Sequence, residues 1–261
     1  EPFFVYLPHP MVHVPLYVSK EFDGATGKGI YADVVAEIDD GVGHILDTVK
    51  ELGLADSTLV IFTSDNGPWS NFSEVLGPKH DGAIAWGESG PLRGAKGSSY
   101  EGGVRVPCMV RWSGMIPEGR VSDALFSTLD FLPTFAALTG FEAPKDRPLD
   151  GVDQTALLKG QSEMGARDYF YYYIKGELQG VRRHNWKLIL PNRQTFYGYV
   201  KDRGSENVEL YDLSNDIGET RNLAKNHPEI VQKLLALANR APEAEDPTIL
   251  NNIRIPNTKS K

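Results

Sequence analysis

The spacing of apolar residues alternates between helix-like and strand-like over the first 112 residues. Steps of three and four residues predict an amphipathic helix over residues 31–52, which Gly53 can end. A strand, a crossover helix and a strand in one sheet form a parallel, right-handed unit. The pattern therefore predicts an α/β fold with a mixed, mostly parallel sheet flanked by helices. The short apolar runs that we predict as its strands are residues 3–7, 59–63 and 106–112.

A second helix is predicted over residues 130–138, and Gly140 is placed to end it. Residues 141–167 then lose the periodic pattern and are rich in proline, glycine and charged residues, which is typical of a boundary between domains. We therefore predict two domains. Residues 1–165 form part of the α/β domain, and residues 166–261 form a small α+β subdomain.

The small subdomain has a strand-rich pattern. Its apolar and aromatic runs follow one another without a helix between them, which predicts a smaller, antiparallel sheet. These runs are residues 169–174, 179–183, 186–190 and 208–211. Helical spacing returns from Pro228 to about Asn239 and predicts a last helix.

Composition narrows the classes of function. The chain has 27 basic and 35 acidic residues and a net charge of -8, which disfavours nucleic acid as a partner because cationic surface supplies most of that affinity. No apolar run approaches the roughly 18 residues that a transmembrane helix requires. Cys108 is the one cysteine, so the chain holds no internal disulfide and no multi-cysteine metal site.

A carboxylate and an amide follow the apolar run 59–63 directly. Asp65 and Asn66 stand before Gly67 and Pro68, where the chain reverses. One charged and one neutral oxygen ligand at a strand end suit a hard divalent cation, and an Asx turn without a ligand is the alternative interpretation. Because parallel strands end at one edge of a sheet, we expect the loop that carries His13 to face the same crevice as this turn.

A long, glycine-rich connection over residues 67–104 carries a second group of candidates. Lys96 lies among small residues that let backbone amides approach an anion closely. The segment lacks the spacing of a nucleotide-binding P-loop. It therefore predicts either an anion-binding loop or a purely structural glycine turn.

Together these segments resemble the sulfatase family, the arylsulfatase-like branch of the alkaline phosphatase superfamily. The resemblance runs in family order from residue 2 to about residue 240. Its motifs are residues 2–6, 13–15, 59–68, 94–97, 100–107, 129–134 and 209–223. The resemblance implies a sulfuric ester hydrolase that acts on a sulfated small molecule or glycan.

The resemblance also implies roles for four residues. Asp65 and Asn66 match the second pair of the family's calcium ligands, with Mg²⁺ a less favoured ion. His13 and Lys96 match groups that bind and polarise the sulfate ester, and His13 is suited to protonating the departing alkoxide near neutral pH.

The sequence departs from the family at its beginning. The family's first aspartate pair and its Cys/Ser-x-Pro-x-Arg segment, whose first residue becomes formylglycine, precede the segment that opens this chain. We therefore expect a carboxy-terminal portion of a sulfatase, with the missing amino-terminal portion as its partner. Residues 89–93 fit Ser-x-Pro-x-Arg formally, which leaves a modified Ser89 open, although they stand out of family order.

Two other functions stay open at this point. One is a phosphodiesterase or phosphonate hydrolase, since phosphate and sulfate esters present similar oxygens, although such enzymes often use a two-metal site. The other is a non-catalytic, sulfatase-like subunit that binds sulfated glycans. The family alone suggests a periplasmic, secreted or lysosomal-type compartment.

Overall fold

The computed structural model describes residues 1–69, 87–191 and 206–242. These residues form two compact units. The first unit holds Glu1–Thr63, the described part of Pro68–Ser89, and Pro107–Ser113. The second unit holds Ser64–Gly67, Gly90–Val106 and the described part of Gly114–Lys261. The domain boundary between residues 165 and 166 stays a prediction.

The first unit contains one long helix and a two-stranded sheet. Helix α1 (Ile30–Glu51) ends where Gly53 adopts a positive φ of 68°, as the apolar spacing predicts. Strand β1 (Val60–Thr63) pairs with strand β2 (Cys108–Arg111) in antiparallel register, with Val60 opposite Arg111. Both strands lie within the predicted apolar runs.

The strand predicted over residues 3–7 is wrong. The structure places this stretch in neither sheet, and its large side chains are 58–78% exposed. An apolar run favours a strand only where a neighbouring strand can form a ladder with it. With residues 3–7 outside the sheet, β1 pairs with β2, which runs in the opposite direction. The mostly parallel sheet is therefore not confirmed.

The second unit is built on a four-stranded antiparallel sheet with strand order β3-β4-β5-β6. The strands are β3 (Tyr169–Ile174), β4 (Glu177–Arg183), β5 (Trp186–Ile189) and β6 (Glu209–Asp212). Helix α5 (Pro228–Ala238) packs on this sheet through Val231 and Leu234, which join Val181, Leu188 and Leu210 in one buried cluster. The predicted antiparallel sheet and last helix are confirmed.

The described residues of the second unit contain three further α-helices. They are α2 (Glu101–Val104), α3 (Phe131–Thr139) and α4 (Thr155–Leu158). Helix α3 ends at Gly140 with a φ of 75°, as predicted. Just before α3, the buried Asp130 pairs with Arg167 and accepts a hydrogen bond from the Val152 amide at 2.9 Å.

Within the described residues, no helix combines the length and the apolar character that a membrane span requires. The predicted connection over residues 67–104 lies in part outside the described residues, since the structure describes residues 67–69 and 87–104 of it.

Candidate functional site

The turn after β1 presents Asp65 and Asn66. The Ser64 hydroxyl donates a hydrogen bond to the Asn66 carbonyl oxygen at 3.0 Å, which fixes the local backbone. Asp65 is exposed and Asn66 is half-buried. Within the described part of the chain, the structure gives neither side chain a hydrogen bond or an ion pair, so their oxygens are available to an outside ligand.

Gly67 joins this turn to helix α2. Its amide donates a hydrogen bond to the Gly103 carbonyl oxygen at 3.0 Å. A Cβ atom on Gly67 would lie 1.9 Å from the Gly102 carbonyl oxygen, so only glycine permits the contact. The close approach holds the Asp65–Asn66 turn against the first residues of α2.

The loop that carries Lys96 folds back on the same helix. The Gly102 amide donates to the Arg93 carbonyl oxygen at 2.7 Å, and a Cβ atom on Gly103 would lie 2.3 Å from the Ser98 carbonyl oxygen. The Ser98 hydroxyl donates to the Ala95 carbonyl oxygen at 2.9 Å and closes the loop. Lys96 itself is half-buried.

The Lys96 ammonium has no hydrogen bond or ion pair among the residues that the structure describes. The loop of residues 93–98 and the turn of residues 64–67 both contact Gly102 and Gly103 of α2. Asp65, Asn66 and Lys96 thus lie on two backbone segments that both contact α2, and the convergence of their side chains on one site stays a prediction.

Glu101, the first residue of α2, lies in a buried charge cluster that the sequence analysis missed. Its carboxylate accepts hydrogen bonds from Lys187 Nζ at 2.8 Å and from Arg105 Nε at 2.7 Å. Its amide donates to Glu219 Oε2 at 2.6 Å. Lys187 in β5 is fully buried. A signal was present, since Lys187 interrupts an otherwise apolar strand.

The pKa values in this cluster follow from burial and pairing. Burial acts to raise the pKa of Glu101, but Lys187 and Arg105 outweigh it and hold this pKa at about 2. Burial likewise acts to lower the pKa of Lys187, but Tyr172, Glu101 and Glu219 reverse the effect and raise it. For Glu219 burial prevails over the Lys187 charge and raises the pKa.

Arg93 has a different set of partners. Its guanidinium donates to the Tyr211 hydroxyl at 2.8 Å and lies 3.8 Å from the centroid of the Tyr100 ring. Tyr100 and Tyr211 each donate to Glu209 Oε2 at 2.8 Å. Arg93, the arginine of the Ser89-x-Pro-x-Arg pattern, is thus part of a packed network in the second unit.

His13 belongs to the first unit. Its Nδ1 lies 2.7 Å from the Val14 carbonyl oxygen, and its ring centroid lies 6.2 Å from that of Trp69. A carbonyl oxygen only accepts hydrogen bonds, so Nδ1 carries the proton in this contact and Nε2 is left for other partners. The placement of His13 beside Asp65, Asn66 and Lys96 stays a prediction.

The fit of a metal can be judged from the donor atoms. Within residues 1–69, 87–191 and 206–242, no group of three or more His, Cys, Asp or Glu side chains could hold an ion. Calcium takes six to eight oxygen ligands. Asp65 and Asn66 supply hard oxygens of the required kind, and they fit a part of such a shell.

Family models match both parts of the chain. The model described as Sulfatase matches residues 1–141. The model described as N-sulphoglucosamine sulphohydrolase, C-terminal, matches residues 95–241.

Two curated relatives show how much of a longer protein the match covers. The steryl-sulfatase of Mus musculus is 43% identical over 260 residues, which cover 91% of this chain and 41% of the relative. The N-acetylgalactosamine-6-O-sulfatase of Bacteroides thetaiotaomicron is 34% identical over 242 residues, which cover 91% of this chain and 46% of the relative. The chain thus spans less than half the length of these relatives.

Solved structures share the fold. A Bacteroides thetaiotaomicron structure described in connection with the metabolism of multiple glycosaminoglycans matches with a TM-score of 0.77 and 33% identity, covering 92% of this chain and 50% of that one. The PsFucS1 sulfatase from Pseudoalteromonas sp. matches with a TM-score of 0.74 and 27% identity, covering 88% and 46%. Because the Sulfatase model spans more than half of the 261 residues, the chain belongs to the sulfatase family.

Proposed function

We propose that this chain supplies part of the active site of a sulfuric ester hydrolase. One observation carries the proposal: the Lys96 loop and the Asp65–Asn66 turn pack on the same two glycines of α2. One cation and two hard oxygen donors thus lie on adjoining segments. This combination suits an ester whose transferring group carries negative charge.

Each residue has a distinct proposed task. Lys96 binds an oxygen of the sulfate group and offsets its charge. His13, as an imidazolium protonated on both ring nitrogens, donates the Nε2 proton to the departing alkoxide and keeps the Nδ1 proton, whose contact with Val14 orients the ring. Asp65 and Asn66 hold a calcium ion together with further ligands. When bound, the ion supplies positive charge that polarises the ester oxygens.

The names of the relatives support a proposal about the substrate class. The names of two of them refer to a steryl sulfate ester and to a sulfated N-acetylgalactosamine. We propose a sulfated small molecule or glycan as the substrate of this protein. The longer relatives contain sulfatase sequence that this chain does not match. We propose that the remaining calcium ligands and the family's formylglycine come from the corresponding part of the protein.

The test is hydrolysis by the protein expressed from its complete reading frame. With calcium present, we expect release of sulfate from p-nitrophenyl sulfate or from sulfated sugars, and little release of phosphate from p-nitrophenyl phosphate. Preferred phosphate release would point to a phosphoryl-transfer enzyme. Glycan binding without turnover would point to a non-catalytic subunit.

A separate measurement concerns the nucleophile. Peptide mass spectrometry of the residues 89–93 region distinguishes an unmodified Ser89 from a formylglycine. We expect an unmodified serine, because Arg93 of this pattern contacts Tyr100 and Tyr211 in a packed network.

A further inference from the structure

Lys187 is a charged residue in the buried interior, where loss of hydration disfavours a charge. It lies on β5 with no exposed surface, and its Nζ is 2.8 Å from Glu101 Oε1 and 3.0 Å from Glu219 Oε1. The Tyr172 ring centroid lies 4.8 Å from the same nitrogen. Hydrophobic residues of similar volume often stabilise a core as well as a buried ion pair does. Stability alone therefore does not explain a lysine at this position.

The contacts of this lysine converge on the start of α2. Glu101 is held at its carboxylate by Lys187 and at its backbone amide by Glu219, with an N···O distance of 2.6 Å. The two acidic residues are far apart in sequence, on α2 and in the turn after β6. Lys187 bridges them from the sheet. The carboxylate and the amide of Glu101 are thus held by a residue of β5 and by a residue of the turn after β6.

The next residues of α2 carry the proposed site. The Gly102 amide donates to the Arg93 carbonyl oxygen, and the Gly67 amide donates to the Gly103 carbonyl oxygen. The Ser98 carbonyl oxygen packs closely against Gly103. A displacement of Glu101 would shift this glycine pair, and with it the Lys96 loop and the Asp65–Asn66 turn. Gly102 and Gly103 contact Gly67, Arg93 and Ser98 through backbone atoms, so a shift of α2 would pass directly to both segments.

We infer that Lys187 and Glu219 are positioning residues for the proposed sulfatase site. They fix Glu101, and through α2 they set the place of the Lys96 ammonium and of the Asp65–Asn66 turn. This inference rests on the proposed function of Lys96, Asp65 and Asn66.

The chain offers a matched control in the ion pair of Asp130 and Arg167. Both side chains are buried, to 0% and 7% exposure, and both lie in the second unit. The Asp130 carboxylate accepts hydrogen bonds from the amides of Ser127 and Val152, and none of these partners lies in α2 or in the Lys96 loop. Loss of this pair removes a buried charge without touching the site.

The experiment compares Lys187→Met with Arg167→Met in the protein expressed from its complete reading frame. Hydrogen exchange followed by mass spectrometry reports on peptides that span residues 93–104 and 64–67. We expect exchange there to be at least about tenfold faster in Lys187→Met and unchanged in Arg167→Met, since opening of a local unit raises exchange in that unit. With p-nitrophenyl sulfate we expect kcat/KM to fall at least about tenfold in Lys187→Met and less than about twofold in Arg167→Met.

The double variant Lys187→Met/Glu219→Met separates positioning from folding. It replaces the charges by apolar residues of similar length, which often restores stability. We expect its unfolding midpoint to exceed that of Lys187→Met while exchange at residues 93–104 stays fast. Wild-type exchange and wild-type kcat/KM in this folded double variant would overturn the inference.

Failure of the proposed function gives a different result. A wild-type protein that releases no sulfate contradicts the function, whatever the exchange data show. An active wild-type protein whose exchange at residues 93–104 responds equally to Lys187→Met and Arg167→Met contradicts the positioning role alone.

Discussion

Two groups of polar residues in the second unit differ in whether their side chains are paired. In the open group, Asp65, Asn66 and Lys96 make no side-chain hydrogen bond or ion pair with any residue that the structure describes. In the closed group, the charges of Glu101 and Lys187 are buried and paired, at 2.8 Å from each other. The two groups meet at α2. The difference suggests that the closed group holds the backbone while the open group is left for a ligand.

Substitution of Lys187 is expected to have the largest effect on stability. Lys187→Met leaves Glu101 and Glu219 without their shared cation, and loss of one partner of a buried pair lowers the free energy of unfolding by about 4 kcal/mol. Urea unfolding followed by circular dichroism measures it. Lys145→Met removes the partner of Glu142 in an exposed pair, and we expect no measurable change there. Equal losses in both variants would contradict the stabilising role of the buried pair of Lys187 and Glu101.

Acid tests the same cluster without a mutation. The pKa of Glu101 lies at about 2, below its ordinary value of 4.5, so its charge stabilises the fold above pH 4.5. This contribution, on the order of 3 kcal/mol, is lost as pH falls through 2. Glu219 acts in the opposite sense, since its pKa is raised and its stabilising contribution is lost as pH rises.

Glu101→Gln isolates the first of these two effects. The groups that face Glu101 are Lys187, Arg105, Arg182 and Glu219. We expect the difference in unfolding free energy between the wild type and Glu101→Gln to shrink between pH 5 and pH 2.5. A difference that stays constant over this range would mean that the Glu101 charge is not what holds the cluster.

Lys96 is the test of the open group. We expect Lys96→Met to lower kcat/KM for an aryl sulfate by about 100-fold, because a donor to the developing charge is lost. Its unfolding midpoint should stay near that of the wild type, because Lys96 contacts no charged partner in the described residues. Lys159→Met is the control, since Lys159 is also half-buried and lies at the end of α4. Equal activity losses in both variants would contradict the assignment.

The closed group also shows what the sequence could not predict. Helix α1, the strands β3 to β6 and helix α5 follow from apolar spacing and from local end signals such as Gly53 and Pro228. These signals lie within about one turn or one strand of the structure that they predict.

The pairs that hold α2 are not local. Lys187 and Glu101 are 86 residues apart, and the Glu101 amide and the Glu219 carboxylate are 118 apart. A single sequence gives no indication of such pairs beyond a lysine in an apolar strand. The same limit explains the error at residues 3–7, where the apolar run was evident but its place outside both sheets was not. For the open group, the sequence can predict Asp65, Asn66 and Lys96 as candidates because a strand end and a glycine loop are local features.

Gly67 forms the close contact between the Asp65–Asn66 turn and α2. Gly67→Ala places a Cβ atom 1.9 Å from the Gly102 carbonyl oxygen, so the turn or the helix must move. We expect a loss of about 2 kcal/mol in unfolding free energy, as for other overpacked sites. Gly43→Ala, where nothing lies within 4 Å of the new atom in α1, should instead stabilise by roughly 1 kcal/mol. A stabilised Gly67→Ala protein would contradict the observed contact.

Asp65 tests whether the open group binds a calcium ion. Asp65→Asn keeps an oxygen donor and removes one charge, so we expect calcium to bind about tenfold more weakly, a difference of about 1.4 kcal/mol. Calorimetric titration of the protein from its complete reading frame measures this without any assay of activity. Asp56→Asn is the control, because Asp56 is also exposed and lies before β1. If both variants bind calcium as tightly as the wild type, Asp65 is not a ligand, and the open group would hold an anion through Lys96 alone.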